Sequence, residues 1–321
     1  MKQALLITFF GAQKDRFCTY QEALTVTEKL ERAAQIPGVS GVEMIFPEEC
    51  RESNNLADTL RRLNLQPAAI NVNIKGHPRF VAGALSSSDP GIRRLAVETI
   101  AEAKEFAREI RCKRVTCAPL SDGYDYPLQL DYVSAWTHMV ECLGKAAETV
   151  PEVTLHIEHK PADPRTWGLL ASASKVLCLC RDIGRPNVGI TFNVGHAVYG
   201  GGWPAAEFAR VLEAGVPCYV HYNDGAVNWD WDIIAGSQKF WQLVEFLFYA
   251  KDSDYRGWFT ADVWPLRQDA AEVFGANIRV ADRIWNWLES TDLPALRESI
   301  QKGDAQKVLG EIARWVCQTP A

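Results

Sequence analysis

The sequence predicts an α/β fold, a (β/α)8 TIM barrel with a C-terminal helical extension. Three observations carry this. Short apolar runs alternate with amphipathic helical stretches along almost the whole chain, and eight such pairs can be read. The apolar runs are nearly continuous, as expected of parallel strands buried on both faces. The length of 321 residues suits one barrel of roughly 250 residues plus an extension.

The elements follow in order. ALLITFF (4–10) precedes a helical stretch near 20–34, and GVEMIF (41–46) leads to ADTLRRLN. AAINVNI (68–74) precedes the long amphipathic stretch 89–110, where Asp89 and Pro90 supply a cap and a first-turn proline. KRVTCAP (113–119) precedes a helix at 130–149. EVTLHIEHKP (152–161), NVGITFNVGHA (187–197), PCYVHYND (217–224) and RGWFTADVWP (256–265) complete the strands, each followed by a helical pattern. In NVGITFNVGHA the strand is expected to run into a polar turn. The barrel is expected over 1–288, and LPALRESIQKGDAQKVLGEIARWV marks a helical extension over 289–321.

Composition narrows the partners. With 34 basic and 40 acidic residues the net charge is −6, and no basic block stands out. Nucleic acid and anionic membrane are therefore not expected partners. The apolar start breaks at Gly11 without a small-residue cleavage site and reads as a first strand rather than a signal peptide. No apolar run reaches bilayer length. Nine cysteines without a regular framework are expected to be reduced, in a cytoplasmic protein.

In such a barrel the chemistry sits at the C-terminal ends of the strands. The third strand ends in Asn73, Lys75 and His77, and the fifth in His156, Glu158, His159 and Lys160. The sixth ends in Asn193 and His196, the seventh in His221, Asn223 and Asp224, and the eighth in Asp262 and Trp264. Polar side chains on inward strand faces are costly unless they bind something. Residues two apart share a face, so His156, Glu158 and Lys160 stack from the interior to the mouth. Glu158 with Lys160 alone reads as an ion pair; with His221 and Asp262 on neighbouring strands the set suits Mn²⁺, Mg²⁺ or Co²⁺. Asp230 and Asp232 in VNWDWDIIAG read either as a solvated acidic turn or as ligands for a second cation. Trp203, Trp229, Trp231 and Trp264 neighbour these groups and offer flat apolar faces to a ring-shaped ligand.

These segments resemble the xylose isomerase-like TIM-barrel superfamily of sugar isomerases and epimerases, in order, over roughly residues 68–265. IEHKPADPRTW resembles E-P-K-P-x-E-P, which implies Glu158 as a metal ligand and Lys160 as the substrate-binding lysine. NVGHAVYGG resembles N-x-E-x-x-H-x-x-x-A-G, which places Asn193 on a bridging carboxylate and His196 on a second-metal ligand. VHYNDG and WDWDIIAG resemble H-I-D-L-N-G and D-x-D-L-x-x-G, implying Asp230 and Asp232 for a second cation. FTADVWP resembles F-D-Y-K-P and carries Asp262 over as a ligand. NIKGHPRF resembles the segment holding the histidine associated with sugar-ring opening, here His77. His221 resembles the histidine ligand of the ketose 3-epimerase branch.

The resemblance implies a divalent-metal-dependent isomerase or epimerase acting on a monosaccharide or derivative, by an enediolate or a hydride shift. The amide at 193 shifts the expectation from two metals to one, Mn²⁺ first, held by Glu158, Asn193, His221 and Asp262. A second cation at His196, Asp230 and Asp232 stays open. Glu158, Asp262, His156 and Lys160 are the candidate catalytic groups, and His77, His196, Trp203 and Trp264 the candidate substrate contacts. Two alternatives stand beside this. One is a lyase on 3-keto-glycosides of the C-glycoside deglycosidase type, with His156 as base and a small partner subunit. The other is a non-catalytic sugar-binding barrel. The expected partner is a small-molecule sugar, and the helical tail is a candidate interface for a homo-oligomer.

Overall fold

A computed structural model describes residues 1–52, 55–163 and 166–317. Pro164 and Arg165 of the IEHKPADPRTW segment, and residues 318–321 of the expected tail, lie outside the described residues. Eight parallel strands close into one barrel. They are β1 (Lys2–Leu6), β2 (Val39–Phe46), β3 (Gln66–Val72), β4 (Arg114–Cys117), β5 (Thr154–Glu158), β6 (Val188–Asn193), β7 (Cys218–Tyr222) and β8 (Trp258–Ala261). Neighbours in sequence are neighbours in space, and closure pairs Lys2 with Trp258 and Leu5 with Ala261.

Each expected apolar run falls on a barrel strand, because only strands buried on both faces keep such runs out of water. Two strand ends differ from expectation. ALLITFF was expected to stay extended to residue 10, but β1 stops at Leu6 and Ile7–Phe9 form a 3-10 turn. The turn delivers Phe10 to the core, where it stacks on Phe274. After β6 the polar turn is replaced by a helix starting at Val194, for the capping reason given below.

The outer layer comprises α1 (Val26–Ala34), α2 (Leu56–Arg62), α3 (Pro90–Glu109), α4 (Tyr132–Glu148), α5 (Ala173–Ile183), α6 (Val194–Tyr199), α7 (Pro204–Ala214), α8 (Phe240–Asp252) and α9 (Ala270–Ser290). Two further helices, α10 (Leu293–Gln301) and α11 (Ala305–Cys317), follow it. Local chemistry sets the starts. Thr25 and Glu28 form a reciprocal capping box on α1. Asp89 accepts from Gly91 N–H just ahead of Pro90, as the Asp-Pro pair predicts. The helices lay Leu30, Ile100, Met139, Phe208, Phe246 and Ile278 against the strands. Burying one such side chain contributes about 1.5–3 kcal/mol.

Gly189 shows how tightly the barrel closes. An added Cβ would lie 2.0 Å from the Pro217 carbonyl oxygen, where β6 meets β7. Ile190 N–H already donates to that oxygen at 2.8 Å, so the two backbones are tied at this point. Gly189→Ala is expected to destabilise the fold by about 3 kcal/mol or more. A denaturant midpoint equal to the parent's would contradict this.

Beyond the strand ends, two of three small sheets build up the mouth around the site, the third pairing Gln13–Lys14 with Thr19–Tyr20. Gly123–Tyr124, Ala162–Asp163 and Thr166–Gly168 form one. Asp224–Ala226 and Trp229–Ile233 form the other, a hairpin. All nine cysteines are unpaired. Among the described residues, no helix is long and apolar enough to cross a membrane.

Candidate active site

Register brings the site together. Thr191 sits opposite Glu158, Asn193 opposite His221, and His221 opposite Thr260, so the ends of β5, β6 and β7 and the residue after β8 share one level. There Glu158, His221 and Asp262 each offer a donor atom, and the three atoms lie within 4.8 Å of one another. His221 Nδ1 is 3.3 Å from Glu158 Oε1 and 3.4 Å from Asp262 Oδ2. All three residues are buried.

Asn193 stands inside this set, facing it with its amide nitrogen. Nδ2 donates to Glu158 Oε1 at 2.9 Å and to Asp262 Oδ2 at 2.8 Å. Its Oδ1 accepts from His196 N–H at 3.0 Å and thereby caps α6. That capping bond is why the chain turns helical where the sequence suggested an irregular turn. Gly195 is required in the same turn: its N–H donates to Asn223 Oδ1 at 2.9 Å, and an added Cβ would sit 2.2 Å from that oxygen. Coordination by Asn193 Oδ1 would require the amide to rotate and release the helix cap.

Charge is distributed unevenly. Burial disfavours charge on Glu158, but His221, His196 and the Asn193 amide outweigh it and hold its pKa well below the usual range. Burial likewise opposes charge on His221, and Glu43 and Glu158 overcome it, so its pKa lies well above the usual value.

Glu43 escaped the sequence reading. It lies within β2, its side chain fully buried, and its Oε2 receives His221 Nε2–H at 2.9 Å. Tyr219 donates to the same oxygen at 2.7 Å, and Asn71 Nδ2 donates to Oε1 at 2.9 Å. The signal was present, since a carboxylate within the apolar run GVEMIF must be paired to be buried. Its place in mid-strand sets it apart from the polar groups at the strand ends.

The second expected cluster also assembles. His196, Asp230 and Asp232 offer atoms within 4.8 Å of one another. A resident cation already serves it: Lys160 Nζ lies 2.8 Å from Asp230 Oδ2 and 3.4 Å from Asp163 Oδ2. Burial lowers the Lys160 pKa, but Asp230, Asp232 and Asp163 more than offset it and keep the ammonium charged. Asp232 accepts from Asn223 Nδ2 at 2.6 Å. Burial, with Asp230 and Asp262 nearby, pushes its pKa well above the usual value. His196 Nδ1–H donates to the His159 carbonyl at 2.8 Å, which leaves Nε2 to face Asp230 at 3.4 Å.

Lys160, Asp230 and Asp232 open onto a cavity of about 400 Å³ walled by Trp167, Trp229 and Trp264. Trp264 is held by a 2.9 Å bond from Nε1 to Gln13. Trp231 is half-exposed on the same hairpin but does not line the cavity. Other expected contacts lie elsewhere. Trp203 donates to Glu245 and borders a separate apolar cavity beside α8 and α11, because Pro204 starts α7 there and turns the ring outward. His77 is exposed, and its Nδ1 accepts from Arg79 N–H at 3.1 Å to anchor its own loop. His156 sits one layer deeper than Glu158, with Nδ1 on the Ile190 carbonyl at 3.3 Å and its ring beside Tyr219. Burial lowers its pKa to about 3, so it is a neutral group within the barrel interior.

Fold and site together define a (β/α)8 barrel with two acid–histidine clusters at its C-terminal mouth. The chain belongs to the xylose isomerase-like TIM barrel family, whose model matches residues 30–283. It is 26% identical over 251 residues to a probable sugar isomerase of Mesorhizobium japonicum, covering 71% of this chain and 54% of that protein. It is 22% identical over 219 residues to the xylose isomerase of Thermus thermophilus, covering 66% of this chain and 57% of that protein. The chain thus spans little more than half the length of these two relatives. Among solved structures, an L-ribulose 3-epimerase superposes with TM-score 0.71 at 17% identity, over 90% of this chain and 96% of that one. A D-tagatose 3-epimerase-like protein superposes with TM-score 0.68 at 21% identity, over 89% and 98%. At these identities the superpositions speak for the fold.

Proposed function

We propose that this chain is a divalent-metal-dependent sugar isomerase or epimerase acting on a monosaccharide or derivative. The observation that carries this is the convergence of Glu158, His221 and Asp262 from three strands, beside an aromatic-walled cavity. Two carboxylates and one imidazole suit Mn²⁺, with Mg²⁺ or Co²⁺ as substitutes. The donor set fits such an ion because its three atoms already lie together and His221 is oriented from behind by Glu43. A bound cation of this kind supplies polarisation of a substrate carbonyl. One ion is favoured over two, since Lys160 already neutralises the second cluster.

The protein groups then have distinct tasks. Glu158 and Asp262, tied together through the Asn193 amide, are the carboxylates placed to take a proton from a carbon next to a carbonyl and to return one. Lys160 is a charged donor for a substrate oxygen. Asp230 borders the cavity, and its Oδ1, without a partner among the described residues, has a spare lone pair for a substrate hydroxyl. The tryptophan faces suit the C–H faces of a sugar ring. His156, the base of the lyase alternative, is engaged below this level, which favours isomerisation or epimerisation.

The test is a panel of aldoses and ketoses followed by NMR in D₂O, with EDTA and with added Mn²⁺. Interconversion that EDTA abolishes and Mn²⁺ restores is expected, with solvent deuterium in the product if a proton is exchanged. Equal turnover in EDTA, or none with Mn²⁺ across the panel, would contradict the proposal. A pH dependence follows as well. The proton held on His221 must leave before a cation binds, and its pKa is raised, so Mn²⁺ affinity is expected to keep rising with pH through and above the ordinary histidine range, with proton release. Titrations in two buffers of different ionisation heat would detect the release, and an affinity flat across that range would contradict it.

A further inference from the structure

We infer that Glu43 is a positioning residue that selects Nδ1 of His221 as the cation-facing atom and holds the imidazole rigidly in that orientation. This rests on the proposed cation site. An imidazole can turn either nitrogen towards a ligand, and the choice is set by what the other nitrogen bonds. Here Nε2 is committed to Glu43 Oε2 at 2.9 Å, so Nδ1 is the atom left facing Glu158 and Asp262. The carboxylate is itself held on both oxygens. Tyr219 and His221 share Oε2, and Asn71 Nδ2 binds Oε1 at 2.9 Å.

The support continues outward. Tyr219 has one proton and gives it to Glu43, so its 2.5 Å contact with Thr260 is donated by the threonine hydroxyl. Thr260 lies on β8 opposite His221, which returns the chain of bonds to the strand that leads into Asp262. Strands β2, β3, β7 and β8 therefore set one imidazole together. Every member of this layer is buried, so it contributes rigidity without being reachable by substrate. Among the described residues the layer offers Glu43 three donors, of which the histidine is the one that pairs with it as an ion, the arrangement of a carboxylate backing a ligating imidazole.

Glu43→Gln is the informative variant, because the site can accept it. Among the described residues Asn71 Oδ1 has no partner, so its amide can turn to receive a glutamine N–H, while the glutamine oxygen still accepts from His221 and Tyr219. The fold is kept and the backing charge is lost. Mn²⁺ binding, followed by electron paramagnetic resonance of the free ion, is expected to weaken about 10- to 100-fold in this variant. Tyr219→Phe, which removes one donor to Glu43, is expected to weaken it by a smaller factor. Independently of any variant, NMR of the histidine ring nitrogens in the Zn²⁺-loaded parent is expected to show the proton on Nε2 of His221 and the metal on Nδ1. A folded Glu43→Gln protein that binds Mn²⁺ as tightly as the parent, or a parent that binds Zn²⁺ through Nε2, would overturn the role of Glu43 alone. A parent that binds neither ion would overturn the cation site with it.

Discussion

Glu158→Gln is expected to remove measurable Mn²⁺ binding and to lower any sugar interconversion on the order of 10³-fold. The side chain keeps its volume, so packing does not explain the loss. Charge does. Glu158 Oε1 is approached by Asn193 Nδ2 at 2.9 Å and by His221 and His196 at 3.3 Å each. Those groups converge on an anion, and Glu158 is held ionised by them. A glutamine offers at best a neutral oxygen, and its N–H₂ group would face other donors. His221 keeps its bond to Glu43, so the variant should fold normally by circular dichroism. Calorimetry with Mn²⁺ and the NMR turnover assay read the two losses. Binding or turnover within a few-fold of the parent would contradict the assignment of Glu158.

Asn193→Asp is expected to act with opposite signs in the metal-free and metal-loaded protein. Without a cation, the donating nitrogen becomes an oxygen in a place now 2.9 Å from Glu158 and 2.8 Å from Asp262. Two hydrogen bonds turn into repulsions between buried carboxylates, so one group must take up a proton. The cost is about 3 kcal/mol, and the melting temperature of the metal-free protein falls. The helix cap survives, because an aspartate oxygen accepts from His196 N–H as well as an asparagine oxygen does. With Mn²⁺ present, the added charge becomes a further oxygen ligand and affinity is expected to rise about 10-fold or more. The interval between metal-free and Mn²⁺-loaded melting temperatures therefore widens in the variant. An unchanged interval would mean that position 193 does not face the ion.

Much of this was legible in the sequence, and the limits have physical causes. The barrel strands were readable because burial on both faces writes continuous apolar runs such as GVEMIF and NVGITF. Glu158, His221 and Asp262 were readable because polar groups at strand ends are conspicuous against those runs. The amide at 193 was visible, but its orientation was not. Which end of the amide faces the acids depends on the helix cap with His196, and the short α6 was itself hidden behind glycine and a β-branched residue. Glu43 was hidden by its place in mid-strand, where its partners come from β3 and β7, far along the chain. Trp203 and Trp264 look alike in sequence, yet one borders an outer cavity and the other the mouth. Only loop paths separate them. The Lys160–Asp230 pair joins the loop after β5 to the later hairpin, a contact that spacing cannot forecast.

A crystal soaked in Mn²⁺ and measured at an anomalous wavelength tests the cation site most directly. One peak is expected, within coordinating distance of a Glu158 oxygen, His221 Nδ1 and an Asp262 oxygen, with Lys160 still on Asp230. No peak at those three residues, or a peak only among His196, Asp230 and Asp232, would contradict it.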